Sequence, residues 1–263
     1  MSYTKQTHIA GQKLTAAQLN HMENGIVAAQ NAYNLLDNSD FKNPVNQRGL
    51  SSTTTSQKYI IDRWVTDIAN NAATVSIGSN GITCTSTSAN YAGIRQNFAK
   101  YSEMVGKTYT FAICVGGVWE STTFIMGNHP GGSLLSNGTS FFSVESGHII
   151  IRSVGGKTIT FEKAALYEGS YITETLPAYV PKGYAAEMIE CKRYFQKVTS
   201  QGKFFGDTSG YAGYVYVPYE QEMRAIPTLS VTANGSLIGE QVKALTISST
   251  PVAVNSSTTG MTV

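Results

Sequence analysis

Charge is scarce in this chain: Asp, Glu, Lys and Arg make up 14% of its 263 residues. Nineteen basic residues stand against 17 acidic ones, a formal net charge of +2. That balance offers none of the clustered basic footprint that nucleic acid or an acidic membrane requires. The adjacent pair Lys192-Arg193 lies inside an amphipathic segment and reads as a solvated edge. Cysteine is scarcer still. Cys84, Cys114 and Cys191 form an odd set without paired or metal-like spacing, so no disulfide framework is implied. Cys84 and Cys114 sit in apolar or alternating runs and are expected as small buried residues. No apolar run approaches the ~20 residues that span a bilayer, and no basic-then-apolar segment opens the chain. The expectation is synthesis in a cytoplasm without signal-driven export, and no membrane insertion.

Catalytic patterns are missing as well. Four histidines, His8, His21, His129 and His148, lack metal-ligand spacing. Serine-rich loops contain no Gly-x-Ser-x-Gly turn, and there is no Gly-rich loop ending in Gly-Lys to cradle phosphate. Carboxylates are scattered, so nothing local picks out a glycosidase pair. No dense Asp/Asn cluster points to calcium. The chain is expected to be a non-enzyme with no cofactor and no metal site identified in the sequence, a structural calcium staying open.

What the chain does have is a seam. Leu19, Met22, Ile26, Ala29, Tyr33 and Leu36 step by 3, 4, 3, 4 and 3, the 3.5 average that keeps one apolar stripe against a partner helix. Polar residues surround the stripe, so the helix gains little by folding alone. Thr15 with Gln18 three positions later forms a capping-box pattern, and Asp37-Asn38-Ser39-Asp40 favours turns. A helix over 16–36 follows, with copies of itself as the expected partner.

From Phe41 the period changes to two. Expected strands cover 59–65, 74–77, 82–85, 94–98, 108–115, 122–126, 140–144, 148–153 and 158–166, separated by turns such as Gly78-Ser79-Asn80-Gly81, Gly116-Gly117 and Gly155-Gly156. With 41% hydrophobic residues and a polar surface of Ser, Thr, Asn and Gly, this punctuation argues for a mainly β fold with a central antiparallel jelly-roll β-sandwich. The β-pattern breaks at Leu176-Pro177 to Pro181-Lys182-Gly183. A short helix from Tyr184 to about Cys191 leads to a small C-terminal β-module, with strands at 194–198, 212–219, 228–232 and 242–247 and a weakly held edge strand in the tail. The expected division is 1–40 for the attachment segment and oligomerising helix, 41–180 for the sandwich and 181–263 for the rest.

Three segments carry a resemblance. His8-Ile9-Ala10-Gly11-Gln12-Lys13-Leu14-Thr15-Ala16-Ala17-Gln18-Leu19-Asn20, followed by Met22-Glu23-Asn24-Gly25-Ile26, resembles the leading segment of bacteriophage tail and baseplate appendage proteins. Asn43-Pro44-Val45-Asn46-Gln47-Arg48-Gly49-Leu50 and then Ile61-Asp62-Arg63-Trp64 is similar to the start of a carbohydrate-binding-module-like jelly-roll domain of phage tail fibres. Ala178-Tyr179-Val180-Pro181 leading to Met188-Ile189-Glu190-Cys191-Lys192-Arg193-Tyr194-Phe195 resembles that domain's end and helical exit. The similarity spans most of 8–230, and the region from Ala89 to Gly147 matches nothing of the family. The resemblance implies a homotrimeric virion appendage, joined to other tail or baseplate proteins through its N-terminus and presenting sandwich domains to a host surface carbohydrate.

Within that frame, Trp119 is the first choice for a sugar platform, because Gly116-Gly117-Val118 before it suggests a turn that leaves the ring exposed. Glu120, Asn128 and His129 are its sequence-near hydrogen-bonding candidates, and Tyr91, in the loop Ser88-Ala89-Asn90-Tyr91, is a second choice. Trp64 is expected in the core rather than at a site, with Asp62 and Arg63 pairing with backbone or each other. Tyr214 and Tyr216 share a strand face and suit packing between protomers. The favoured reading is a receptor-binding adhesin. Its alternatives are a structural baseplate or head-fibre component and, further off, a polysaccharide depolymerase.

Overall fold

The computed structural model describes residues 11, 13–30, 33–128, 133–134, 140–145, 147–197, 216–225, 255–256 and 260–262, with backbone alone for 24–30, 133–134, 140–145 and the last three strands. Two compact units divide the chain, Met1–Glu187 and Met188–Val263. Among the described residues no helix is long and apolar enough to cross a membrane.

The first unit opens with helix α1 (Ala16–Gln30). Its start is the expected reciprocal cap: Thr15 N donates to Gln18 Oε1 at 2.9 Å and Gln18 N donates to Thr15 Oγ1 at 3.3 Å. Leu19 and Met22 are 45% and 42% exposed. The helix is shorter than the heptad spacing suggests. Tyr33 and Leu36 lie beyond it in irregular chain, Tyr33 exposed and Leu36 fully buried in the β-core. The side chains of Ile26 and Ala29 lie outside the described residues.

Twelve strands then build two sheets: β1 (Ser52–Thr53), β2 (Tyr59–Ile61), β3 (Trp64–Ile68), β4 (Thr74–Gly78), β5 (Gly81–Thr85), β6 (Ala92–Asn97), β7 (Thr108–Val115), β8 (Val118–Ile125), β9 (Ser133–Leu134), β10 (Ser140–Glu145), β11 (His148–Ser153) and β12 (Thr158–Glu168). A one-turn helix, α2 (Tyr101–Met104), precedes β7. The first sheet has the order β1-β4-β5-β12-β7-β8 and the second β2-β3-β6-β11-β10-β9, every pairing antiparallel. Alternation sends one set of side chains from each sheet inward. Val75, Ile82, Cys84, Phe111, Ile113, Phe161 and Leu166 from the first meet Trp64, Ile68, Ile94, Ile149 and Ile151 from the second in one core.

The expected strand 59–65 is in fact a hairpin, β2 and β3, turning at Asp62-Arg63 with Arg63 at φ +71°. Its two turn residues do not pair with each other. Asp62 accepts from Arg48 Nη1 at 2.5 Å and Gln47 N at 3.1 Å, while Arg63 Nε reaches Asp37 Oδ2 at 2.9 Å. Burial raises the Asp62 pKa, against the opposing pull of these donors.

Residues 34–41 belong to the sandwich rather than to an N-terminal segment ending at 40. Leu35 N donates to Leu166 O, and Asn34 bonds both Ala164 O and Leu166 N on β12. Toward the second sheet, Gln96 bonds both backbone groups of Asp37, and Trp64 Nε1 donates to the carbonyls of Asp37 and Asn38 at 3.0 Å each. The buried Trp64 indole stands edge-on to Phe41, ring centres 5.1 Å apart. The turn signal Asp37-Asn38-Ser39-Asp40 thus closes one end of the core, with the backbone of Asp37 and Asn38 bonded to side chains of the second sheet and Asp40 Oδ1 buried without a partner.

Helix α3 (Tyr184–Lys192) forms as expected. In the second unit Cys191 is buried, and 194–197 is turn and coil rather than strand, tied by Phe195 N to Cys191 O at 3.0 Å. Arg224 N donates to Arg193 O, and Lys192 pairs with Glu220. β13 (Tyr216–Pro218), β14 (Asn255–Ser256) and β15 (Gly260–Thr262) form a sheet ordered β13-β15-β14. Of the two tail strands, β14 stands at an edge of the described sheet, as expected, and β15 lies between it and β13. The strands expected at 228–232 and 242–247, and Tyr214, lie outside the described residues.

Candidate functional site

Trp119 is not in a loop. Gly116 and Gly117, at φ +58° and +78°, make the two-residue turn of a hairpin, a conformation that suits residues without a Cβ. Gly117 N donates to Glu162 Oε1 at 2.9 Å. β8 therefore starts at Val118, and Trp119 pairs with Cys114 on the outer face of the first sheet. A gap between the expected strands 108–115 and 122–126 had suggested a longer turn; two glycines need only two residues.

The outer register brings Ala112 of β7, Ala165 and Tyr167 of β12 and Trp119 of β8 together. The chain after β12 folds back over them. Thr110 holds it down, donating through Oγ1 to Gly169 O at 2.9 Å and accepting from Tyr171 N at 2.9 Å. Ser121 and Thr173 hydroxyls meet at 3.1 Å. The result is a depression of about 210 Å³ lined by Ala112, Trp119, Tyr167, Thr173, the run Leu176-Pro177-Ala178 and Tyr179. Trp119 and Tyr179 rings lie 5.5 Å apart at 37°, and Lys163 Nζ stands 5.3 Å from the Tyr179 ring centre. Burial pushes the Tyr167 phenol up to about 12 and raises the Tyr179 phenol as well. Both hydroxyls are protonated donors at neutral pH.

No carboxylate lines this depression. The Tyr179 hydroxyl meets that of Ser39 at 3.4 Å, and Tyr167 is buried. Small Ala112 leaves room over the sheet, the indole offers an apolar face, and the Thr173 hydroxyl, shared with Ser121 at 3.1 Å, stands at the rim. That set can stack on the C–H face of a neutral ring and bond its edge. The volume falls below the about 300–1,000 Å³ of pockets that enclose a drug-sized ligand, so the surface suits one ring rather than a buried molecule.

The companions expected from sequence proximity are elsewhere. Glu120 pairs with Ile113 and belongs to the opposite face of β8, the face of buried Phe124. Asn128 is exposed beyond the far end of β8, and the strand between rises about 3.3 Å per residue, placing it ~20 Å or more from Trp119. His129 lies outside the described residues. Tyr91 precedes β6 in the second sheet, under the Arg152 guanidinium at 4.1 Å. The true neighbours, Tyr167, Thr173 and Tyr179, are 48 or more residues away in sequence. The outward alternation Lys163, Ala165, Tyr167 was the one local signal of an aromatic on that face.

Among the described residues no group of three or more His, Cys, Asp or Glu side chains could hold a metal ion. No family model, curated protein or solved structure matches this chain.

Proposed function

We propose that the protein is a phage or prophage tail appendage whose sandwich, a jelly roll in this reading, adheres to a host surface carbohydrate through Trp119 and Tyr179. The depression between their rings on an outer sheet face carries the reading. The sequence resemblance supplies the virion setting, with other tail or baseplate proteins as partners at the N-terminus. Helix α1 supplies the oligomer: Leu19 and Met22 are exposed in the single chain, and 15 residues are at the margin for an isolated helix in water, about 12–15 residues. A homotrimer places several weak sites on one particle, and avidity then exceeds a single site's affinity by ~10²–10⁴.

A glycan array probed with the full-length chain tests this. Trp119→Ala is expected to lower binding to the retained glycan at least tenfold at a temperature where the variant is still fully folded. A second reading has its own observation: the same rings pack the 171–180 segment onto the sheet, as in a structural virion component. Silence on the array, together with a lower melting temperature in Trp119→Ala, selects it.

A further inference from the structure

The outer face of the second sheet carries a guanidinium without an acid. Arg95 of β6 stands between Val65 of β3 and Ile150 of β11 in the strand register, and both neighbours are buried. Its Nη2 donates to Gln57 Oε1, and its Nε is shielded from solvent with no acceptor. Buried polar nitrogens nearly always have a partner, and the Nη end of the same guanidinium stands at the exposed surface beside Gln57.

Among the described residues no side chain or carbonyl accepts from this Nε. Asp67 is the one carboxylate among the described side chains of β2, β3, β6 and β11, and Arg152 Nε already holds it at 2.6 Å. Arg152 can reach it because Gly93 lies between them: a Cβ there would stand 2.6 Å from Arg152 Cγ and 2.4 Å from Ile151 O. Arg152 also covers Tyr91 at 4.1 Å. Its charge is thus spent and its position fixed, whereas the charge of Arg95 is not neutralised by any described acid. An apolar floor of Val65 and Ile150 lowers the local dielectric and strengthens any pairing made above it.

We propose that the row Tyr91, Arg152 and Arg95 is a second glycan-binding site, selective for a carboxylate-bearing sugar unit such as a hexuronate. The planar guanidinium matches a carboxylate in bidentate fashion, which a lysine ammonium cannot do. The site lies on the other sheet from Trp119 and stands whether or not the aromatic depression binds sugar.

Titration calorimetry of the full-length protein with tri-galacturonate, maltotriose and glycerol phosphate decides it. Tri-galacturonate is expected to bind, with affinity falling at least tenfold as sodium chloride rises from about 50 to 500 mM. Arg95→Gln is expected to lose at least tenfold and Arg95→Lys at least threefold, since the lysine keeps charge and stem but not the fork. Trp119→Ala should leave this binding unchanged. The assignment is overturned by no tri-galacturonate binding, by Arg95→Lys binding as the wild type does, by tighter binding of glycerol phosphate, or by a loss that follows Trp119→Ala instead.

Discussion

Asn38 shows how much one side chain can hold. At φ +51°, in the left-handed region that asparagine tolerates, it donates to Val45 O at 2.8 Å and Asp62 O at 2.7 Å and accepts from Val45 N at 2.8 Å. Its own backbone carbonyl takes the Trp64 indole proton, and its N donates to Glu187. Replacement by alanine strands three buried backbone groups, each costing about 1–3 kcal/mol when left without a partner. Asn38→Ala is therefore expected to lower stability by about 3–5 kcal/mol after partial rescue by water, read as a shifted urea midpoint with an unchanged slope. The sequence marked Asn38 as a turn residue; that it ties three segments together depends on Val45 and Asp62 arriving beside it. Trp64 was legible as core because it is a large aromatic in an expected strand, and such rings are mostly buried. Glu120 was misread for the opposite reason: adjacency in a strand means opposite faces.

Among the elements, α1 and the 34–41 segment differ in what they depend on. The helix has its cap and its polar flanks but exposes Leu19 and Met22. By contrast, Asn34, Leu36 and Phe41 are set into the sandwich. Removal of residues 1–32 is expected to leave the thermal transition of the sandwich within a few degrees of the full chain while abolishing self-association in sedimentation. Removal of 1–38 takes Leu36 and the Asp37 backbone away from Trp64 and Gln96, and is expected to lower the transition by ten degrees or more. The seven-residue spacing could not separate these fates, because Tyr33 and Leu36 continue the stripe arithmetically after the helix has ended.

Across the first unit, many groups prefer to keep their protons. Burial raises Tyr167 to about 12 and also raises Tyr109, Tyr171 and Tyr179. Burial of Lys182 opposes its charge, but Asp37, 3.2 Å away, and Glu187 outweigh that and hold its pKa above the ordinary value. For each of these the folded pKa exceeds the unfolded one, about 10 for tyrosine and 10.4 for lysine. The native state then binds more protons, so the stability they contribute is complete below about pH 9 and is lost as pH rises through about 10–12. Urea midpoints at about pH 8 and 11 should show a steep fall, and Tyr167→Phe should flatten it. The same unit leaves its two outer sheet faces chemically distinct: an uncharged aromatic depression on one, and on the other an arginine that no acid among the described residues pairs with.

Local spacing was sufficient for the mainly β character, most strand positions, the Thr15 cap and the placement of Trp64, since each depends on side chains two to four residues apart. The pairing of Trp119 with Tyr179 was settled by the chain folding back over the first sheet after β12, and the surroundings of Arg95 by strand order. β12 joins the β7–β8 hairpin from a distant part of the chain, and the register within the sheet decides which outward side chains meet. Periodicity encodes a face, but it carries no information about which face of which strand lies beside it.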